Sequence, residues 1–240
     1  MPRPIKLNQQ ECRRIDRAVE YFIKNRGHFE AFAQGLMANF INHAELTSCI
    51  HFIKHRIKDA DHLREKLMRK ALDAKRESRA EVIDESNLFH KITDLAGIRI
   101  IHLHTEQMRE IHRLIMSILD EQQLQLAEIP IANCWDVEYE SLFRDFGLQA
   151  ESRESMYTTV HYVIVANQRT HITCELQVRT LMDEVWGEVS HRVNYPHNSP
   201  SIVCQDQLKV LARLTSGCTR LVDSIFKSHQ EAHSLGSEIR

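Results

Sequence analysis

Residues 174–197, CELQVRTLMDEVWGEVSHRVNYPH, change period at Thr180. Before it polar and apolar residues alternate: Glu175, Gln177 and Arg179 take one side, and Cys174, Leu176 and Val178 the other. After it the apolar residues fall at Met182, Val185, Trp186, Val189 and Val193, which is helical spacing. A strand running straight into a helix points to a sheet with helices packed on it. The strand also carries a carboxylate, an amide and a guanidinium in a row on one face. That polar face needs a reason.

The rest of the chain mixes the same two periods. Residues 8 to about 46 have helical spacing at Ile15, Val19, Phe22 and Ile23, with a break expected near Gly27 or Gly35. CIHFIKHRI (49–57) predicts a strand with Ile50, Phe52 and the stem of Lys54 on one face. Residues 59–81 are charged and helix-favouring, NLFHKITD reads as a short helix or turn, and 95–104 as a buried strand. A helix from Thr105, with that threonine as its cap, reaches Gln122. Residues 122–150 predict an edge strand and irregular structure. YTTVHYVIVA (157–166) and THITCELQVRT (170–180) form a hairpin joined by NQR, followed by a helix over 180–195. NYPHNSPSIV reads as a loop, and a last helix spans about 205–231. The expected class is α/β (α+β mixed), a mixed sheet of about five strands flanked by helices. Residues 1–46 form an N-terminal helical extension, 47–196 the central domain, and 197–240 a C-terminal helical extension.

The net charge of −2 supplies no global field for nucleic acid or membrane. The N-terminus MPRPIKLNQQECRR has no apolar core of a signal peptide, and no run approaches membrane-spanning length. Six scattered cysteines make no Cys-x-x-Cys, so neither a zinc site nor a redox motif is indicated. A cytoplasmic protein with reduced thiols is the expectation.

The chemistry-bearing residues sit on or beside the strands. Asp94 immediately precedes the strand LAGIRI, which contains Arg99; Glu175 and Arg179 lie on another strand; Arg56, Lys58 and Lys66 surround the start of a helix. Two carboxylates and several cations on one sheet suit a magnesium–polyphosphate site. Carboxylates hold the hard cation, cations neutralise phosphate oxygens, and one carboxylate accepts a proton from an attacking hydroxyl. Taken singly, each piece has a plainer meaning: a turn aspartate, a half-exposed strand, a solvated helix face. His102 and His104 read as surface histidines, and Trp186 with the Met182–Val193 stripe as core. Glu184, Glu188, His191 and Tyr195 share the other face of that helix, structural or at the site margin. The helix over 205–231 carries a long apolar stripe that caps the sheet or builds an oligomer.

HRIKDADHLREK, DLAGIRI, RESMYTTVH and ELQVRTLMDEVWGEVSHRVNY occur in this order and together closely resemble the synthetase domain of the RelA/SpoT family, over roughly residues 45–196. The resemblance implies a small stand-alone alarmone synthetase with the nucleotidyltransferase-like synthetase fold. The implied reaction moves the β,γ-diphosphate of ATP to the ribose 3′-hydroxyl of GDP or GTP and releases AMP. It implies Asp94 and Glu175 as catalytic and Mg2+-binding, with Glu175 activating the hydroxyl. It implies Arg56, Lys58, Lys66 and Arg99 for ATP. It implies Tyr157 stacking on the acceptor guanine, with Arg153, His161 and Gln177 around it. Tyr157, Thr159 and His161 are expected to alternate onto one strand face. ATP and GDP or GTP are the implied partners, with a homo-oligomer (dimer or tetramer) through the terminal helices. Three positions, in two places, depart from the family pattern. Met156 and Thr159 replace the glycine and serine of the acceptor loop, and His62 replaces a serine near the donor phosphates. The departures leave open a family toxin that pyrophosphorylates the tRNA 3′ end or makes adenosine alarmones. A catalytically inactive nucleotide- or RNA-binding regulator is a further alternative, disfavoured by the presence of both Asp94 and Glu175.

Overall fold

The computed structural model describes residues 6–153, 156–167, 169–195 and 199–238. Helix α1 (Gln9–Asn42) opens on a capping box, Asn8 accepting from the Glu11 N–H while its own N–H donates to the Glu11 carboxylate. The helix runs unbroken through Gly27 and Gly35, where a break was expected. Each glycine costs a helix about 1 kcal/mol. Burying one large apolar side chain returns about 1.5–3 kcal/mol, and α1 buries Phe22, Phe29, Leu36 and Phe40 among others. The break falls instead at His43, whose Nδ1 accepts from the Leu46 N–H and opens α2 (Ala44–Cys49).

Seven strands make the sheet, not about five: β1 (Phe52–Ile57), β2 (Ala96–His102), β3 (Gln125–Leu126), β4 (Ile131–Cys134), β5 (Gln149–Ser152), β6 (Thr159–Asn167) and β7 (Ile172–Thr180). The order is β1-β2-β7-β6-β4-β5, with β3 also paired to β6. β2–β7 and β4–β5 are parallel and the other pairs antiparallel. The extra strands lie between 122 and 150, beside helix α6 (Val137–Asp145). Strands of two to four residues are too short for a period-2 signal to register. Asp136 caps α6, and Gly147 ends it at φ 85°, a left-handed conformation that glycine takes without steric cost. The 157–180 hairpin is as expected, although its turn residue Gln168 lies outside the described residues.

Alternation along the strands splits the sheet into two faces. Ile98, Ile100, Val160, Tyr162, Ile164, Leu176 and Val178 point into one core, closed by α1, by α3 (Ala60–Arg76) and by the apolar face of α5 (Gln107–Glu121). Cross-strand register sets the other face in rows: Lys54, Arg99, Gln177 and His161 stand abreast, as do Arg56, Gly97, Glu175 and Val163. Thr105 does not cap α5. Its N–H and hydroxyl both donate to Asp223 on α8 (Ile202–Glu238), at 2.6 and 2.9 Å, a tertiary partner no local pattern reveals. His102 and His104 are buried rather than on the surface. His102 Nδ1 lies 3.0 Å from the His104 carbonyl oxygen, and the His104 ring stacks on Phe226 at 4.3 Å.

Helix α7 (Leu181–Asn194) starts as expected, with Thr180 capping the Asp183 N–H. Its apolar stripe is not core, however. Val185 and Val189 are 43% and 40% exposed, whereas Glu184 is buried. The helix turns its polar face to the sheet because the sheet beneath it is polar. Trp186 is half-buried and donates from Nε1 to the Leu208 carbonyl on α8 at 3.0 Å. The loop after α7 lies partly outside the described residues, at 196–198. All six cysteines are free thiols.

Candidate active site

The polar sheet face and α7 enclose a cleft of about 620 Å³. Arg56, Asp94, Arg99, Tyr157, Glu175 and Gln177 line it. β1 delivers Arg56 across Gly97, where a Cβ would stand 3.7 Å from the arginine Cγ. The strand end also brings Lys58 to Asp94, because the Lys58 N–H donates to the Leu95 carbonyl at 2.8 Å.

Asp94 lines the cleft, backed by two lysines that are not among its lining residues. Its Oδ2 lies 2.9 Å from Lys58 Nζ and 2.8 Å from Lys66 Nζ on α3. Burial pushes the carboxyl up, but the two ammoniums outweigh it and hold Asp94 at about 2. Burial likewise pulls Lys58 below the usual lysine range, against Asp94. Because the folded pKa of Asp94 lies below its ordinary 3.8, its pairing adds stability above pH 4. That stability, about 2 kcal/mol, drains as pH falls from 4 toward 2. A thermal-melt series from pH 6 to 2 checks this: wild type should lose more stability below pH 4 than Asp94→Asn does. Parallel losses would remove the linkage.

Asp94 Oδ1 is buried with no hydrogen-bond partner among the described residues. No cluster of three or more metal-ligating side chains exists among them either. A buried bare carboxylate oxygen without a protein cage fits magnesium, which keeps waters and phosphate oxygens and takes only one or two carboxylates. Asp94 and Glu175 are the residues that would hold it.

A polar relay runs along β7. The Tyr157 hydroxyl donates to Gln177 Oε1 at 3.3 Å, and Gln177 Nε2 donates to Glu175 Oε1. Burial raises the Tyr157 phenol above its ordinary range, outweighing Arg179, so the hydroxyl stays protonated. His161 stands edge-on to Tyr157, ring centroids 6.0 Å apart. Burial depresses its imidazole, against Glu175, and its Nε2 is buried without a partner among the described residues. Arg153 does not line the cleft. It donates to Asn133 Oδ1 at 2.6 Å and pairs with Glu151 at 2.8 Å. Thr159 and His161, two residues apart on β6, share one face of the strand, and Tyr157 precedes it; the Thr159 hydroxyl donates to the Val178 carbonyl at 3.2 Å.

Sequence reasoning did not foresee the charged lattice between floor and roof. Glu184 lies 2.8 Å from Lys54, 2.7 Å from Arg99 and 2.7 Å from Arg179; Glu188 adds a 2.6 Å contact to Arg99. Burial opposes ionisation of Glu184, but Arg179, Lys54 and Arg99 hold its carboxyl below the usual range. Glu184 and Glu188 thus tie α7 to the sheet. The one available signal was their shared face on that helix. His191 stacks on Tyr195 at 4.6 Å, and Tyr195 meets His62 at 5.0 Å, closing the rim beside Arg56.

A mixed sheet with one apolar face, and an opposite face of paired cations and carboxylates under a helix, defines an α/β protein with a phosphate-type cleft. The sequence profile described as the region found in RelA / SpoT proteins matches residues 55–200, so the chain belongs to the RelA/SpoT family. No curated protein matches it by sequence. Among solved structures, a GTP pyrophosphokinase family protein from Streptococcus pneumoniae matches at TM-score 0.63 and 18% identity, over 90% of this chain and 96% of that one. Small alarmone synthetase 1 from Bacillus subtilis, bound to its product pppGpp, matches at TM-score 0.59 and 18% identity, over 87% and 96%. The same enzyme bound to AMPCPP matches at TM-score 0.56 and 18% identity, over 88% and 97%. At these identities the likeness is one of fold. No helix among the described residues is long and apolar enough to cross a membrane.

Proposed function

We propose that the chain is a (p)ppGpp-type synthetase that moves the β,γ-diphosphate of ATP to the ribose 3′-hydroxyl of GDP or GTP. The observation that carries this reading is one cleft with two differently equipped groups of residues. Asp94 lines it with Lys58 and Lys66 paired to its carboxylate; Glu175, Gln177 and Tyr157 line it as a connected polar relay. Family membership and nucleotide-bound structural neighbours support it.

In this mechanism Lys58, Lys66, Arg56 and Arg99 hold the ATP phosphates and base. Glu175 takes the proton of the 3′-hydroxyl as its oxygen attacks the β-phosphorus. The bond from that phosphorus to the α-phosphate's bridging oxygen breaks, and AMP leaves. Magnesium bound with ATP supplies charge neutralisation on the transferring phosphates. Tyr157 stacks on the acceptor base, Gln177 keeps Glu175 oriented, and His161 stands at the edge of the Tyr157 ring, while Arg153 is held away by Asn133 and Glu151. Arg99 rests on Glu184 and Glu188, so donor phosphates compete with those carboxylates for it.

Incubation with γ-labelled ATP plus GDP, GTP, AMP, ADP or bulk tRNA tests the reading. Label on GDP or GTP supports it; label on tRNA or an adenine nucleotide alone replaces the acceptor; label on none removes the activity. Tyr157→Ala is expected to weaken the acceptor by roughly 10- to 100-fold in apparent affinity, from a stacking contribution of about 1–3 kcal/mol. The ATP dependence should hardly move. Unaltered acceptor kinetics would remove the stacking role.

Helix α8 also supports the self-association proposed for the terminal helices. Val203, Val210, Leu214, Leu221 and Ile225 are each more than half exposed, at successive spacings of seven, four, seven and four, an eleven-residue repeat that keeps them on one stripe of the helix.

A further inference from the structure

We infer that Arg179 is a positioning residue that holds the Tyr157 ring in place for the acceptor, and that Gly187 is the space it needs. The inference rests on the proposed role of Tyr157.

Tyr157 precedes the first residue of β6, so no sheet ladder fixes it. Side chains hold it instead: Gln177 at its hydroxyl, His161 at its edge, Trp186 with ring centroids 6.2 Å away, and the Arg179 guanidinium carbon 5.4 Å from its centroid. Arg179 is the only full charge among these contacts. Its side chain is 2% exposed, and a desolvated cation over an aromatic face is the strong form of that interaction. One anchor sets its direction, Nη2 lying 2.7 Å from Glu184 Oε2. Its Nε is buried with no hydrogen-bond partner among the described residues. The guanidinium is therefore not spent on a full set of hydrogen bonds. It lies wedged between the α7 backbone and the ring.

The wedge uses the space that glycine leaves at 187, and Nη1 would have to move to make room for a side chain there. A Cβ built there would stand 2.5 Å from Arg179 Nη1, closer than real side chains approach. Neighbouring turns of α7 thus serve one purpose. Glu184 anchors the guanidinium, and Gly187 lets it reach past the helix toward Tyr157. A purely structural ion pair would need the glutamate alone.

The test separates positioning from stability by substrate and by background. Acceptor and ATP KM are measured for Arg179→Met and Gly187→Ala, each with Tyr157 present and with Tyr157→Leu. Arg179→Met is expected to raise acceptor KM roughly tenfold and leave ATP KM within about twofold, the size of one desolvated cation–π contact. Gly187→Ala keeps the charge but displaces Nη1, and should raise acceptor KM about threefold or more. With Tyr157→Leu both effects should shrink below about twofold, because the ring they act through is gone. Equal effects in both backgrounds, or ATP KM rising with acceptor KM, would overturn the inference while leaving the synthetase reading intact. A wild-type chain that labels no acceptor removes both. Where Arg179→Met melts below the assay temperature, Gly187→Ala decides alone.

Discussion

Asp94→Asn should lower pyrophosphate transfer by about 10²-fold or more, a loss of a few kcal/mol of transition-state stabilisation. The substitution keeps the shape and removes the charge. Two separate consequences follow from where that charge sits. First, Oδ1 is a buried carboxylate oxygen without a hydrogen-bond partner among the described residues, and an amide oxygen or nitrogen there is a far poorer ligand for a hard cation. Second, Oδ2 is the shared counterion of Lys58 and Lys66, at 2.9 and 2.8 Å. With a neutral partner the two ammoniums repel each other, and Lys58, already depressed by burial, loses the group that opposes the depression. On the proposed reading the donor end then lacks both a metal ligand and its fully charged cradle. Steady-state rates at saturating magnesium and ATP provide the measurement, with circular dichroism to establish folding. Turnover near wild type in a folded Asn variant would take Asp94 out of the mechanism.

Much of this cleft was legible in the sequence because β7 is long. Nine residues let the alternation of Glu175, Gln177 and Arg179 declare one polar face, and the parallel partner β2 then brings Gly97 and Arg99 beside it. The helix after Thr180 was equally plain, but its orientation was not. The apolar positions of α7 predicted burial, whereas Glu184 is the buried residue and Val185 and Val189 are exposed. Periodicity gives a helix two faces; it does not say which face meets a floor that is itself charged. Only cross-strand register shows that Lys54, Arg99 and Arg179 converge on Glu184. The same limit hid the Thr105–Asp223 contact, made across 118 residues. It also hid β3, β4, β5 and α6, each too short to carry a period of its own. Gly187 illustrates the remaining gap. In sequence it is one helix-weakening residue; in space it is the gap through which a buried guanidinium reaches an aromatic ring.

Glu175→Gln should abolish measurable turnover and leave ATP binding largely intact. The structure makes this substitution unusually clean. Glu175 Oε1 accepts from Gln177 Nε2, and a glutamine at 175 presents a carbonyl oxygen that accepts the same hydrogen bond. Gln177 can then still accept from the Tyr157 hydroxyl, so the acceptor end keeps its arrangement. What disappears is the negative charge and the ability to take a proton. General-base catalysis is typically worth 10²–10⁴-fold. On the proposed reading the same carboxylate would also help hold magnesium, and its loss would multiply that factor, which is why this effect should exceed that of any acceptor-side change. The cations placed at the donor end, Lys58 and Lys66, pair with Asp94 rather than with Glu175, so ATP affinity has little reason to fall. Isothermal calorimetry with a non-hydrolysable ATP analogue, alongside the labelled-transfer assay, separates the two roles. Lost turnover with retained ATP affinity supports Glu175 as the base. A collapse of ATP affinity would make Glu175 a donor-site residue and leave the 3′-hydroxyl without an assigned base.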